Sequence, residues 1–175
     1  MIRSATATAS DARLLHEIAA ITFPLACPPD ALPESIQAFI DTNLSEAAFA
    51  GYLADPEREL YIAEENGTAI GYTMIVHGDP SDPDVAAVVT LRPTAELSKV
   101  YVHPDSHGGG VASALVEESV RAAQARGAAS MWLGVNQLNG RANRFYEKSG
   151  FAQVGTKKFL VGARYEDDFV RVRPL

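Results

Sequence analysis

The sequence predicts a mixed α/β fold built around one sheet, and two stretches carry that expectation. In "ELYIAEENGTAIGYTMIVH", Glu59 to His77, apolar and polar residues alternate on both sides of Asn66-Gly67, as in two strands joined by a tight hairpin turn. From Ala95 to Val135 an alternating run, three glycines, a helical pattern and a second strand follow one another. That order predicts a strand–helix–strand crossover in the middle of the sheet.

The other elements follow in chain order. A first strand is expected at Ile2 to Thr8, and Ser10 or Asp11 can then cap a helix with apolar spacing Leu14, Leu15, Ile18 and Ala19. Four prolines between Phe23 and Pro33 stop it. Two helices are expected at Glu34 to Thr42 and Ser45 to Ala54, the second ending before Asp55-Pro56. A loop, "GDPSDPD", precedes a segment without a clear period. The strand Ala95 to Val102 leads into the glycines, and a helix runs from Val111 to Arg126, stopped by Gly127. A strand "SMWLGV", a helix "NGRANRFYEKSG" and two strands at Ala152 to Leu160 and Tyr165 to Val172 complete the chain.

Composition narrows the function classes. With 175 residues, 47% of them hydrophobic, the chain can bury one good core, so one compact domain over 1–175 is expected. A formal charge of -7 argues against a nucleic-acid partner, which needs a basic face. One cysteine, Cys27, suits a reducing cytoplasm and supplies neither an internal disulfide nor a cysteine-based zinc site. His16, His77, His103 and His107 have no ligand-like spacing, so no metal is expected. No membrane span or signal-peptide apolar region is read in the chain, and a cytoplasmic protein is expected.

The segment "VYVHPDSHGGGVASALVEE" asks what three glycines before a helix could hold. An HGGG loop supplies oxyanion-hole amides in some esterases, but no Gly-x-Ser-x-Gly elbow accompanies it. A dinucleotide fingerprint fits Gly108 and Gly110 and fails at Ser113. Bare amides opening a helix form an anion site suited to a pyrophosphate, and this needs no residue that the chain lacks. A glycine turn with no ligand is the remaining alternative.

"KVYVHPDSHGGGVASALVEESV" resembles the acetyl-CoA motif of the GNAT superfamily of N-acetyltransferases, the signature falling on His107, Gly108, Gly109, Gly110, Val111 and Ala112. "LGVNQLNGRANRFYEKSGF" is similar to the second family motif, with Asn139, Ala142, Phe145, Tyr146, Lys148, Gly150 and Phe151 in place. The resemblance implies a GNAT-type fold, a mixed and mostly antiparallel sheet of six to seven strands flanked by about four to five helices. It also implies acetyl-CoA as cosubstrate and direct transfer of acetyl to a primary amine.

The cofactor residues implied are Val100, Tyr101 and Val102 on the strand, His107 to Ala112 with Ser113 at the glycine loop, and Asn139 and Tyr146 beyond it. His107 stands where the family has Gln or Arg, so its side-chain contact is in question while the backbone amides are not. Within the central sheet the resemblance implies a splay that admits the pantetheine arm.

Transfer needs a base for the ammonium, a donor for the oxyanion and a proton for the departing thiolate. Glu96 is the candidate base, eleven residues before His107, where some GNAT histone acetyltransferases carry theirs. A strand glutamate facing solvent, an ion pair, or a water chain acting as base are the alternatives. Strand alternation predicts Glu96, Ser98, Val100 and Val102 on one face, with Leu97, Lys99 and Tyr101 on the other. Tyr146 is the candidate acid, since a phenol with pKa near about 10 is protonated at neutral pH. Asn139 is implied on the pantetheine arm, and helix capping is its other role.

The closing stretch "GTKKFLVGARYEDDFVRVRPL" is similar to that of bacterial polyamine acetyltransferases, with Asp168 at a matching Asp, and Glu34, Asp41 and Glu46 could attract a polycation. The expected partner is therefore a small-molecule amine, polyamine-like by this stretch. A peptide N-terminus, or an acyl-CoA sensor without transfer, is the rival reading, and a homodimer is compatible with the family.

Overall fold

The computed structural model describes all residues from Met1 to Leu175. One seven-stranded sheet has the spatial order β1-β2-β3-β4-β5-β7-β6. The strands are β1 (Ile2–Ser4), β2 (Arg58–Glu65), β3 (Thr68–His77), β4 (Thr94–Val102), β5 (Ser130–Asn136), β6 (Ala152–Val161) and β7 (Arg164–Pro174). Every neighbouring pair is antiparallel except β4 and β5, which the crossover helix α5 (Val111–Ala125) joins in parallel. The strand count meets the expectation. Helices number six, one more than expected at most, because the aperiodic segment folds as the short helix α4 (Pro83–Val88), capped by Asp82.

The helix α1 (Ala9–Ala26) corrects one sequence expectation. Thr8, and neither Ser10 nor Asp11, is its cap: the Thr8 hydroxyl accepts from Asp11 N–H at 3.2 Å. Asp11 instead turns its carboxylate to Arg3, 2.8 and 2.9 Å away, and to the Thr6 amide at 2.7 Å. The proline-rich stretch stops the helix as expected: it ends at Ala26, two residues past Pro24, where Cys27 N–H closes the last turn on Pro24 O at 3.3 Å ahead of Pro28-Pro29.

Together α1, α2 (Pro33–Asn43) and α3 (Glu46–Ala54) cover one face of the sheet, where Leu15, Ile18, Phe49, Ile62, Tyr72 and Met74 form a buried cluster. On the other face α5 buries Val116, Val120 and Ala123 against Ile75, Leu97 and Leu133. The hairpin turn forms as predicted, with φ of 51° at Asn66 and 78° at Gly67, the left-handed pair that a two-residue turn requires.

One irregularity sets up the site. Met74 pairs with Lys99 and Ile75 with Leu97, so Ser98 is an extra residue in β4. Strict alternation therefore fails, and the predicted faces are wrong beyond it. Leu97 and Val100 pack together toward α5, and Val102 meets Leu115 of that helix. Glu96, Lys99 and Tyr101 fall on the opposite side, where Tyr101 packs against the cluster of the N-terminal helices.

Leu115 is fully buried against Ala63 and Val102. Leu115→Ala should lower the unfolding free energy by about 2–5 kcal/mol in urea titration. A loss under about 1 kcal/mol would mean that the contact between α5 and the sheet collapses around the hole.

Candidate active site

The hydrogen bonding of β4 ends abruptly on one side. It meets β5 only at Thr94–Ser130, Ala95–Met131 and Glu96–Trp132, although both strands continue to Val102 and Asn136. Past those pairs the sheet is splayed. A cavity of about 860 Å³ occupies the gap, with the glycine loop at one end and the N-terminal helices at the other.

At the loop end, backbone geometry makes an anion site. Gly108 and Gly110 have φ of 84° and 79°, a region that side chains other than glycine rarely adopt. Gly110 caps α5 without any side-chain bond, and the first helical amide with a partner is Ala114, which donates to Gly110 O at 3.0 Å. The amides from Gly108 to Ser113 donate to nothing in the chain, so several N–H groups and the positive end of the helix dipole face one place. This arrangement fits a pyrophosphate. His107 donates its Nε2 proton to Val102 O at 2.9 Å, tying the loop to the end of β4. Of the residues singled out from the sequence, Val100, Tyr101, Val102, His107, Gly108, Gly110, Val111, Ala112, Ser113, Asn139 and Tyr146 line the cavity; Gly109 does not. Arg141, missed from the sequence, adds a cation to the lining.

The helix α6 (Gly140–Lys148) projects Tyr146 into the same space. Burial pushes the phenol up to about 12, so it holds its proton at neutral pH. Asn139 caps this helix, its Oδ1 accepting from Ala142 N–H at 3.1 Å, while its side-chain N–H donors remain over. A buried network steadies α6 from behind. Arg171, 7% exposed, donates to Asn143 Oδ1 and to Phe151 O, both at 3.0 Å, and Asn143 in turn donates to Asn136 O and Asn139 O. No motif announces Arg171, whose partners are distant in sequence.

Charged side chains of both signs gather where the splay opens. Glu96 and Asp168 line the cavity with Lys99 and Lys157. Burial raises the Glu96 carboxyl above its usual range, partly offset by Lys157 and Lys99. Burial likewise lifts Asp168 to about 6, with Lys157 opposing the rise. Gly134 permits this approach: a Cβ there would lie 2.6 Å from Lys157 Cε and 3.1 Å from Asp168 Oδ2. Glu34, Asp41 and Glu46, expected to draw in a polycation, lie exposed on α2 and α3 and do not line the cavity.

Asp168 has a folded pKa above its unfolded one, so the native chain holds that proton more tightly. Its burial is harmless below about pH 4 and destabilises by up to about 3 kcal/mol above about pH 6. Asp168→Asn should therefore raise the melting temperature at pH 8, with the gain vanishing as pH falls to 4. Equal gains at both pH values would contradict the assignment.

The profile of the Acetyltransferase (GNAT) family matches residues 15–151. An uncharacterised N-acetyltransferase of Mycobacterium tuberculosis is 47% identical over 166 residues, 95% of this chain and 99% of that protein. A ribosomal protein bS18-alanine N-acetyltransferase of Haemophilus ducreyi is 35% identical over 69 residues, 39% of this chain and 48% of that protein. The crystal structure of PaiA N-acetyltransferase from Thermoplasma acidophilum in complex with coenzyme A shares the fold with a TM-score of 0.77 at 17% identity, covering 100% of this chain and 99% of that one. No helix is long and apolar enough to cross a membrane. The chain belongs to the acetyltransferase (GNAT) family and is an acetyl-CoA-dependent N-acetyltransferase.

Proposed function

We propose that the chain transfers acetyl from acetyl-CoA to the primary amine of a small molecule, the amine being deprotonated in the charged pocket beside Glu96. The observation that carries this reading is the splay of β4 from β5, which opens one cavity onto both the free amides of Gly108 to Ser113 and the carboxylates of Glu96 and Asp168. Those amides would hold the pyrophosphate, and the unpaired edge of β4 from Val100 to Val102, with Asn139, would hold the pantetheine arm. The cosubstrate supplies the activated acyl group.

Within this scheme each residue has one task. A carboxylate raised above its usual range is a better proton acceptor near neutrality, which suits Glu96 as base. Asp168, at about 6, adds a second carboxyl to the same cavity. Tyr146, protonated and half-buried, donates to the thiolate as it leaves. Arg171 positions Tyr146 by holding Asn143 within α6 and Phe151 just after it.

A second reading, acetylation of a protein N-terminal alanine, is favoured by the name of the Haemophilus relative. Its match spans only 39% of this chain, and a pocket lined by Glu96, Asp168, Lys99 and Lys157 suits a small charged acceptor better. The polyamine-like acceptor implied by the closing strands belongs to the first reading.

Thiol release from acetyl-CoA, measured against small amines and alanine-ended peptides, tests the choice. Tyr146→Phe should lower kcat by about 10²-fold while acetyl-CoA affinity holds. Peptide turnover alone would select the second reading, and tight cosubstrate binding with no thiol from any amine would remove both. Arg171→Met should lower kcat by about tenfold or more in the folded fraction, with Arg171→Lys recovering part of it. A lower melting temperature with kcat intact would reduce Arg171 to packing alone.

A further inference from the structure

The acetyl-transfer reading leaves Lys99 without a task. We propose that the acceptor is an amine that also carries a carboxylate, and that Lys99 receives this carboxylate while Glu96 faces the ammonium. This proposal rests on that reading and names its substrate class.

Placement comes first. The bulge at Ser98 puts Glu96 and Lys99 on the same side of β4, opposite Val76 and Met74 respectively. Partners two apart on β3 mean that the two charges spring from points roughly 7 Å apart. Both line the cavity. Lys99 Nζ lies 5.9 Å from the centre of the Tyr52 ring, and the guanidinium of Arg58 stands 4.8 Å from the same ring. Arg58 is held by Asp55 at 3.0 Å, whereas the Lys99 ammonium makes no ion pair of its own.

Electrostatics then says what is missing. Glu96 favours the charged form of Lys99, yet burial wins and the lysine is pulled down to about 8, with Arg58 adding repulsion. The carboxyl of Glu96 is still raised despite Lys99 and Lys157. Each group is thus left short of the opposite charge in a poorly solvated place. A ligand that brings one ammonium and one carboxylate supplies both. A diamine brings no carboxylate and leaves Lys99 without a counter-charge. The lining carries both signs in the same sense, since Glu166 is already paired with Arg164 at 3.0 Å, leaving Glu96 and Asp168 against Lys99, Lys157 and Arg141.

The test is thiol release with matched acceptors: alanine against alaninamide, and 4-aminobutyrate against its amide and putrescine. At least one acid should exceed its amide in kcat/KM by about tenfold. Lys99→Met, which keeps most of the side-chain volume, should collapse that ratio toward one, chiefly through the KM of the acid, and Lys99→Arg should preserve most of it. An amide or putrescine turned over as well as the acid by the unaltered enzyme would overturn the proposal while leaving acetyl transfer intact. A Lys99→Met variant that loses acid and amide activity equally would overturn the assignment to Lys99. No thiol from any acceptor, with acetyl-CoA still bound, would bring down the transfer reading and this inference together.

Discussion

The molecule depends on where β4 stops pairing with β5. Three residue pairs hold the two strands together, and beyond Glu96 the edge of β4 that faces β5 has no strand partner. A buried strand edge with unmet N–H and C=O groups is costly unless something occupies it. The parallel crossover makes the gap affordable to the fold, because α5 leaves the end of β4, packs across β3 and β4, and returns at β5, so the two strands are tied at one end only. The glycine loop lies at the open end, and the helix that follows it directs its free amides into the same space.

Onto this gap the sheet delivers charge by two local devices. Ser98 adds a residue to β4 and so turns Lys99 and Tyr101 to the side of Glu96. Gly134 removes a side chain from β5, and Lys157 and Asp168 come in over it from the paired strands β6 and β7. The consequence is a low-dielectric pocket where no charge is fully compensated and where protonation equilibria move toward neutrality. Tyr146 differs, since a phenol is protonated at neutral pH in any case and burial moves its titration further from neutrality, leaving it a donor.

The support behind these groups is polar and hydrogen-bonded. Arg171 is buried without a carboxylate partner, yet its donors reach Asn143 and Phe151, and Asn143 reaches the backbone at the start of α6. Such a network holds a helix in one place because any displacement leaves several buried donors unsatisfied.

How much of this was legible in the chain follows from the range of each interaction. The hairpin at Asn66-Gly67, the crossover, α5 after its glycines and the Asn139 cap were all readable, since turn chemistry and hydrophobic period act over a few residues. So was the anion site, which backbone conformation alone creates. The face of Lys99 was not, because a bulge arises from the match between two strands and has no signature in either. Nor could the sequence bring Lys157 and Asp168 to Gly134, bind Arg171 to Asn143, or keep Glu34, Asp41 and Glu46 out of the cavity. By itself the sequence determined the elements, their order and the cofactor-type loop; the tertiary structure decided the splay, the faces and the charges that meet there, since burial and long-range pairing exist only once the sheet has assembled.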